Sequence, residues 1–202
     1  MGFSFEHLDT RTRFLMVEEI DRDSIHGTLY ESRLLTPLGK AAFCELLRAA
    51  ASAHDAEFLV DVLAQAEHFV PSESALRAGV AYERRVNVRN AARRLAEGEF
   101  NRYYMRAVCR RALEGGAKVE AYRARESSQH RTESDALDGH TLEARSLLSV
   151  LRQRNRPTVG SAAGLVPGSV NSGVSLRLTG ERVGTRAGAP DRTPQDERRT
   201  AW

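Results

Sequence analysis

The sequence predicts an α+β protein that is predominantly helical, with an N-terminal helical hairpin, a long central helix, a small C-terminal strand and helix unit and a disordered tail. Three observations carry that prediction. Apolar residues recur at helical spacing behind residues able to cap a first turn, notably Asp9 and Thr36. Two short segments, KVEAYRAR at 118–125 and VSLRL at 174–178, alternate as strands do. From Thr179 onward Gly, Pro, Arg, Asp and Thr dominate, so little apolar surface is left to offset the entropy of ordering. The expected organisation is an acidic helical region at 1–70, a basic helix plus small α+β unit at 71–178, and a disordered tail at 179–202.

The first helix is expected to start at Asp9 or Thr10, to present Phe14, Leu15, Val17 and Ile20, and to stop near Gly27. Thr28 to Leu34 reads as a short extended link. Thr36-Pro37 opens a second helix, because proline in the first turn lacks only an amide that would be unpaired anyway. Leu38, Ala41, Ala42, Leu46, Leu47 and Ala50 continue it. His54-Asp55 interrupts, and Phe58, Leu59, Val62, Leu63 and Ala66 form a third helix. Neither stripe is stable in water alone, so antiparallel packing is expected.

Pro71 to Val88 is less regular, with Ser72 capping a brief turn and AYERRVNV alternating as a strand. The next strong element spans about 90–113. Phe100, Tyr104, Ala107 and Val108 fall on one side of it, and Arg102, Arg106 and Arg110 form a ridge on the other. Gly98 weakens its middle and is a point where it could divide. Gly115-Gly116 ends it, Lys118 to Arg125 follows with Val119 and Ala121 inward, and Glu143 to Leu151 forms one more helix. The terminal Trp202 lies beyond the polar tail as an exposed end or a docking point.

Net charge is +3, unevenly distributed. Residues 1–83 hold 7 basic and 14 acidic groups, a net of −7, whereas residues 84–131 hold 13 and 5, a net of +8. Such polarity implies either two mutually attracting parts of one fold or a basic surface aimed at an acidic partner. No apolar run approaches the ~18–20 residues needed to cross a bilayer. The start lacks the basic stretch and apolar core of a secretory signal, and Glu6 stands where a myristoylation signal needs a hydroxyl. The expected place is the cytosol, or something assembled there. Cys44 and Cys109 have no CxxC partner and no neighbouring histidine at ligand spacing, so they read as small buried hydrophobes.

No GxGxxG, Walker, HExxH or GxSxG pattern is present. His130 and His140 fall near Asp135 and Asp138, but loop histidines beside acids are usually ordinary surface groups. Three arginines one turn apart can follow a phosphate backbone, with Tyr103 and Tyr104 stacking on bases. A ridge of this kind is more commonly a solvated face, pairing here with Glu99 or with the acidic N-terminal half.

Residues 118–178 run from the strand KVEAYRAR through a polar loop to Ala136-Leu137-Asp138-Gly139 and close on Pro167-Gly168-Ser169-Val170-Asn171-Ser172-Gly173 before VSLRL. This order resembles the C-terminal domain of the phage head-morphogenesis (minor head protein) family, in which an ALDG-like turn precedes a late His-Pro-Asn-Cys-Arg-Cys segment. Ser134, Ser169, Ser172 and Val174 stand where that family carries Cys or His, and Asn171 is kept. The resemblance therefore implies neither metal nor cysteine cross-link, and no cofactor. It implies a phage or prophage structural protein, in the host cytoplasm or the virion, acting by association with capsid or portal proteins and possibly DNA, without membrane or enzymatic turnover. Arg102, Arg106, Arg110, Arg123 and Arg125 are the candidate partner- or nucleic-acid-binding residues. The alternative is a nucleic-acid-binding or regulatory protein using 84–131. A third reading is an enzyme using Tyr122, Arg123 and Arg125 or the His130–His140 loop.

Overall fold

A computed structural model describes residues 2–77, 79–125, 137–153 and 173–180. The tail beyond Gly180 with Trp202, and His130, Ser134, Asp135, Ala136, Ser169 and Ser172, lie outside the described residues.

The acidic helices form where their caps place them. In α1 (Thr10–Ile25) the Asp9 carboxylate accepts the Thr12 amide at 2.9 Å. α2 (Pro37–Ala53) opens on Thr36, whose hydroxyl accepts from the Gly39 amide at 3.0 Å and donates to the Glu67 carbonyl at 2.6 Å. Asp55 caps α3 (Ala56–Leu63) through the Phe58 amide. The third helix was expected to continue to Ala66 but stops at Leu63. There the chain turns through a 3₁₀ turn (Ala66–His68) so that the His68 carbonyl meets the Thr36 amide at 3.0 Å. Arg13 of α1 reaches the end of α2, donating to the carbonyls of Ala51 (3.0 Å) and His54 (2.7 Å), which have no partner within the helix.

Between Pro71 and Val88, where a capped turn and one strand are expected, two paired strands form a β-hairpin. β1 (Ser72–Arg77) pairs antiparallel with β2 (Val80–Arg85) from Ser72↔Arg85 to Arg77↔Val80. Its polar sequence gives no alternation to read, so the pairing is dictated by the neighbouring strand. α4 (Val88–Gly115), capped by Asn87, then runs unbroken for 28 residues, about 42 Å. Gly98 does not divide it, because Leu95, Ala96 and Phe100 on either side are packed in the core. Gly116 ends it in the left-handed conformation at φ 67°.

β3 (Lys118–Arg123) is the centre of a three-stranded antiparallel sheet of order β4-β3-β5, with β4 (Thr141–Leu142) and β5 (Val174–Thr179) on either side. Val119 and Ala121 point into the core as expected. α5 (Ala144–Leu151) begins at Glu143, whose carboxylate accepts the Arg145 and Ser146 amides.

One continuous apolar core runs from Leu15 and Met16 of α1, through Phe43, Leu47 and Leu59, to Phe100, Val108, Val119 and Leu176. The helices of residues 1–70 share that core with α4. α1 and α3, α5 and the sheet pack around α4, so residues 99–109 are buried on every side. Among the described residues no helix is long and apolar enough to cross a membrane.

Candidate functional site

The position of the arginine ridge decides what the basic segment can do. Arg106 has no exposed surface, and Arg102 is 8 % exposed. At Arg102 and Arg106 the ridge is not solvated, because α5 and the acidic α1 cover it. Arg106 Nη1 donates to Asp23 Oδ2 at 2.7 Å and lies 3.9 Å from Glu19 Oε2. Its Nε and Nη2 donate to the Leu151 carbonyl at 2.9 and 2.6 Å. Arg102 Nε donates to the same carbonyl at 2.9 Å, and its Nη2 donates to the Gln153 carbonyl at 2.5 Å. Two guanidinium groups thus hold the C-terminal end of α5, where unpaired carbonyls concentrate negative potential.

The remaining members close the network. Tyr103 donates to Asp23 Oδ2 at 3.0 Å, and the Arg106 guanidinium lies over the Tyr103 ring at 4.9 Å. Arg152 forks onto Glu19 at 3.0 and 2.5 Å, which raises its pKa above the ordinary arginine value. Arg110, partly exposed, reaches Glu18 at 2.8 Å and Glu19 at 3.5 Å. Burial, and next the Arg106 charge, lower the Arg102 pKa below its ordinary value. Tyr103 and Tyr104 are buried too, burial pushing both phenols up, so neither ring is presented to a base. Of the two implications of the charge polarity, attraction within the fold is the one realised at Arg102, Arg106 and Arg110.

Arg123 and Arg125 sit elsewhere. The Arg123 amide donates to Asp138 Oδ1 at 3.1 Å, tying the Leu137–Gly139 turn to β3; Gly139 takes φ 77° there. Arg125 pairs with the buried Glu97 and lies over Phe3 at 5.2 Å. Tyr122 accepts from the Glu6 amide and donates to the Ser4 carbonyl at 2.6 Å, so it anchors the N-terminal segment. The structure does not gather these residues with the arginine ridge. Buried Cys109 has its thiol pKa raised by burial, which disfavours the nucleophilic thiolate. Among the described residues no group of three or more His, Cys, Asp or Glu is placed to hold a metal ion.

Among the described residues, the β1–β2 hairpin carries three of the seven exposed large apolar side chains, the others being Phe14, Ile25, Leu38 and Leu113. Every residue of β2 is exposed. Leu76 is 75 % exposed, Val80 69 % and Tyr82 43 %. Strand register puts Val80, Tyr82 and Arg84 on one face with Arg77, and Leu76 with Arg85 on the other. Glu73 binds Arg84 and, at 3.1 Å, Arg33, and the Arg84 hydrogen bond foremost lowers the Glu73 pKa. Sequence reasoning missed Leu76, Val80 and Tyr82 as surface residues. The available signal was VAYERR itself, an alternating strand preceded by no segment apolar enough to cover it.

Comparison with family models, with curated proteins and with solved structures gives no match for this chain.

Proposed function

We propose that the protein works by association, as a minor head or head-assembly component of a phage or prophage with no enzymatic turnover. The likeness of residues 118–178 to head-morphogenesis proteins supplies the partner class. The observation that carries association is the hairpin, whose Leu76, Val80 and Tyr82 stand in water on a two-stranded sheet that cannot cover them. Arg77 and Arg84 flank Val80 and Tyr82 on one face and Arg85 lies with Leu76 on the other. The complementary surface is therefore an apolar groove with an acidic rim that takes up the hairpin from both faces, on a capsid or portal subunit.

The test is copurification of the full chain with capsids or procapsids, compared with the double variant L76T/V80T. Threonine keeps the strand preference and removes apolar surface. The wild type is expected in particles, and the variant to be depleted while its unfolding free energy stays within about 0.5 kcal/mol. Absence of the wild type from both particles and assembly intermediates would refute the proposal.

A further inference from the structure

At the foot of the hairpin, where β2 runs into α4, lies a cleft of about 410 Å³ lined by Glu73, Arg84, Arg85, Asn87, Asn90 and Arg94. Its charges are unequally matched. Glu73 sits between Arg33 and Arg84, so its carboxylate is already shared by two guanidinium groups. Arg85 and Arg94 make no ion pair with a carboxylate among the described residues. This contrasts with Arg89 and Arg93 on the same helix, which engage Glu57, Asp61 and Glu97. Arg85 comes from the end of β2 and Arg94 from the second turn of α4, two elements joined by only a short connection. Asn87 spends its side-chain oxygen on the Asn90 amide as the helix cap. Tyr30 forms part of the wall, whereas Tyr82 stands on the β2 face opposite Arg85.

We propose that this cleft binds the phosphate backbone of a nucleic acid strand, with Arg85 and Arg94 as its phosphate contacts. Guanidinium forks from two elements match successive phosphates, and the Tyr30 ring in the cleft wall offers an aromatic surface to a base without reading sequence. The site replaces Arg102 and Arg106, whose donors are spent inside the fold, and it stands independently of the head-assembly proposal. An acidic peptide would meet the same two charges but leave the Tyr30 ring unused.

The test is fluorescence anisotropy of the full chain with labelled oligo-dT and a labelled duplex, from about 50 to about 200 mM salt. The double variant R85A/R94A is expected to bind more than tenfold more weakly at low salt. Its slope of log affinity against log salt should shrink by about 1.4 on single strands, two phosphates at about 0.7 each. R85K/R94K is expected to keep the wild-type slope. Both positions are exposed, so circular dichroism melts should match the wild type. No binding of either oligonucleotide by the wild type at low salt would overturn the proposal, as would unchanged affinity and slope in R85A/R94A. Equal competition by a poly-glutamate peptide and by an unlabelled oligonucleotide of the same charge would overturn it in favour of an acidic protein partner. Particle copurification is a separate readout and does not enter this outcome.

Discussion

Arg106 places a cation in the interior with three of its nitrogens donating, to Asp23 and to the Leu151 carbonyl. A buried charge persists only when its hydrogen-bonding groups are met, and removing one partner leaves the other uncompensated. Tyr103 is a smaller contributor. Its hydroxyl gives one hydrogen bond to Asp23, so Tyr103→Phe is expected to cost about 0.5–1.5 kcal/mol in urea unfolding. A neutral result would mean that Asp23 needs no support beyond the guanidinium. The face expected of α1, Phe14, Leu15, Val17 and Ile20, omits Glu19 and Asp23, and Phe14 is exposed. The signal for the two acids lies in side-chain identity. Glu19 and Asp23 lie three and seven residues beyond Met16, on the stripe that also carries Ile20, and acids on an apolar stripe announce a buried partner. The ridge 102–106–110 shows only that a polar row exists; whether solvent or another helix faces it is a tertiary fact absent from a 3.6-residue period.

Single elements were largely legible because their ends are written in local chemistry. Asp9, Thr36-Pro37 and Gly115-Gly116 mark helix ends, and KVEAYR and VSLRL alternate. β1 escaped because SESALR has no alternation, and Thr141–Leu142 is too short to register. Two close fits test the element packing. A Cβ on Gly39 would stand 2.2 Å from the His68 carbonyl oxygen, so Gly39→Ala must push the 3₁₀ turn away from α2. It is expected to destabilise by about 1–3 kcal/mol in denaturant unfolding, and an unchanged midpoint would contradict that contact. The eight-residue α5 is too short to persist alone and depends on its ends. The Ser146 side-chain hydrogen bond first, then the Ser146 and Arg145 amides, hold Glu143 below its ordinary value of 4.5. A depressed folded-state pKa contributes stability above the unfolded value and loses it as pH falls through the folded one. Melting temperature against pH should therefore fall less steeply below about pH 5 in Glu143→Gln than in the wild type. Parallel curves would remove Glu143 as a source of acid sensitivity.

For the whole molecule, the −7 and +8 segments meet inside the fold. Arg111 reaches Asp9 at 2.6 Å, Arg11 reaches Glu114 at 2.6 Å and Arg93 reaches Glu57 at 2.9 Å, around the buried Asp23–Arg106 pair. The exposed pairs each contribute little and are screened by salt. Among the described residues, Arg77, Arg85 and Arg94 at the hairpin and its foot make no ion pair with a carboxylate, and the sequence could not single them out among the arginines. The central claim is that Arg106 serves the fold rather than a partner. A double-mutant cycle on Asp23→Ala and Arg106→Ala, followed by urea unfolding in an osmolyte that keeps each variant folded, tests it most directly. Each single change should cost about 3–5 kcal/mol, and the double change less than their sum by about 1–3 kcal/mol. Additive losses below about 1 kcal/mol each, with partner or oligonucleotide binding abolished in Arg106→Ala, would contradict it.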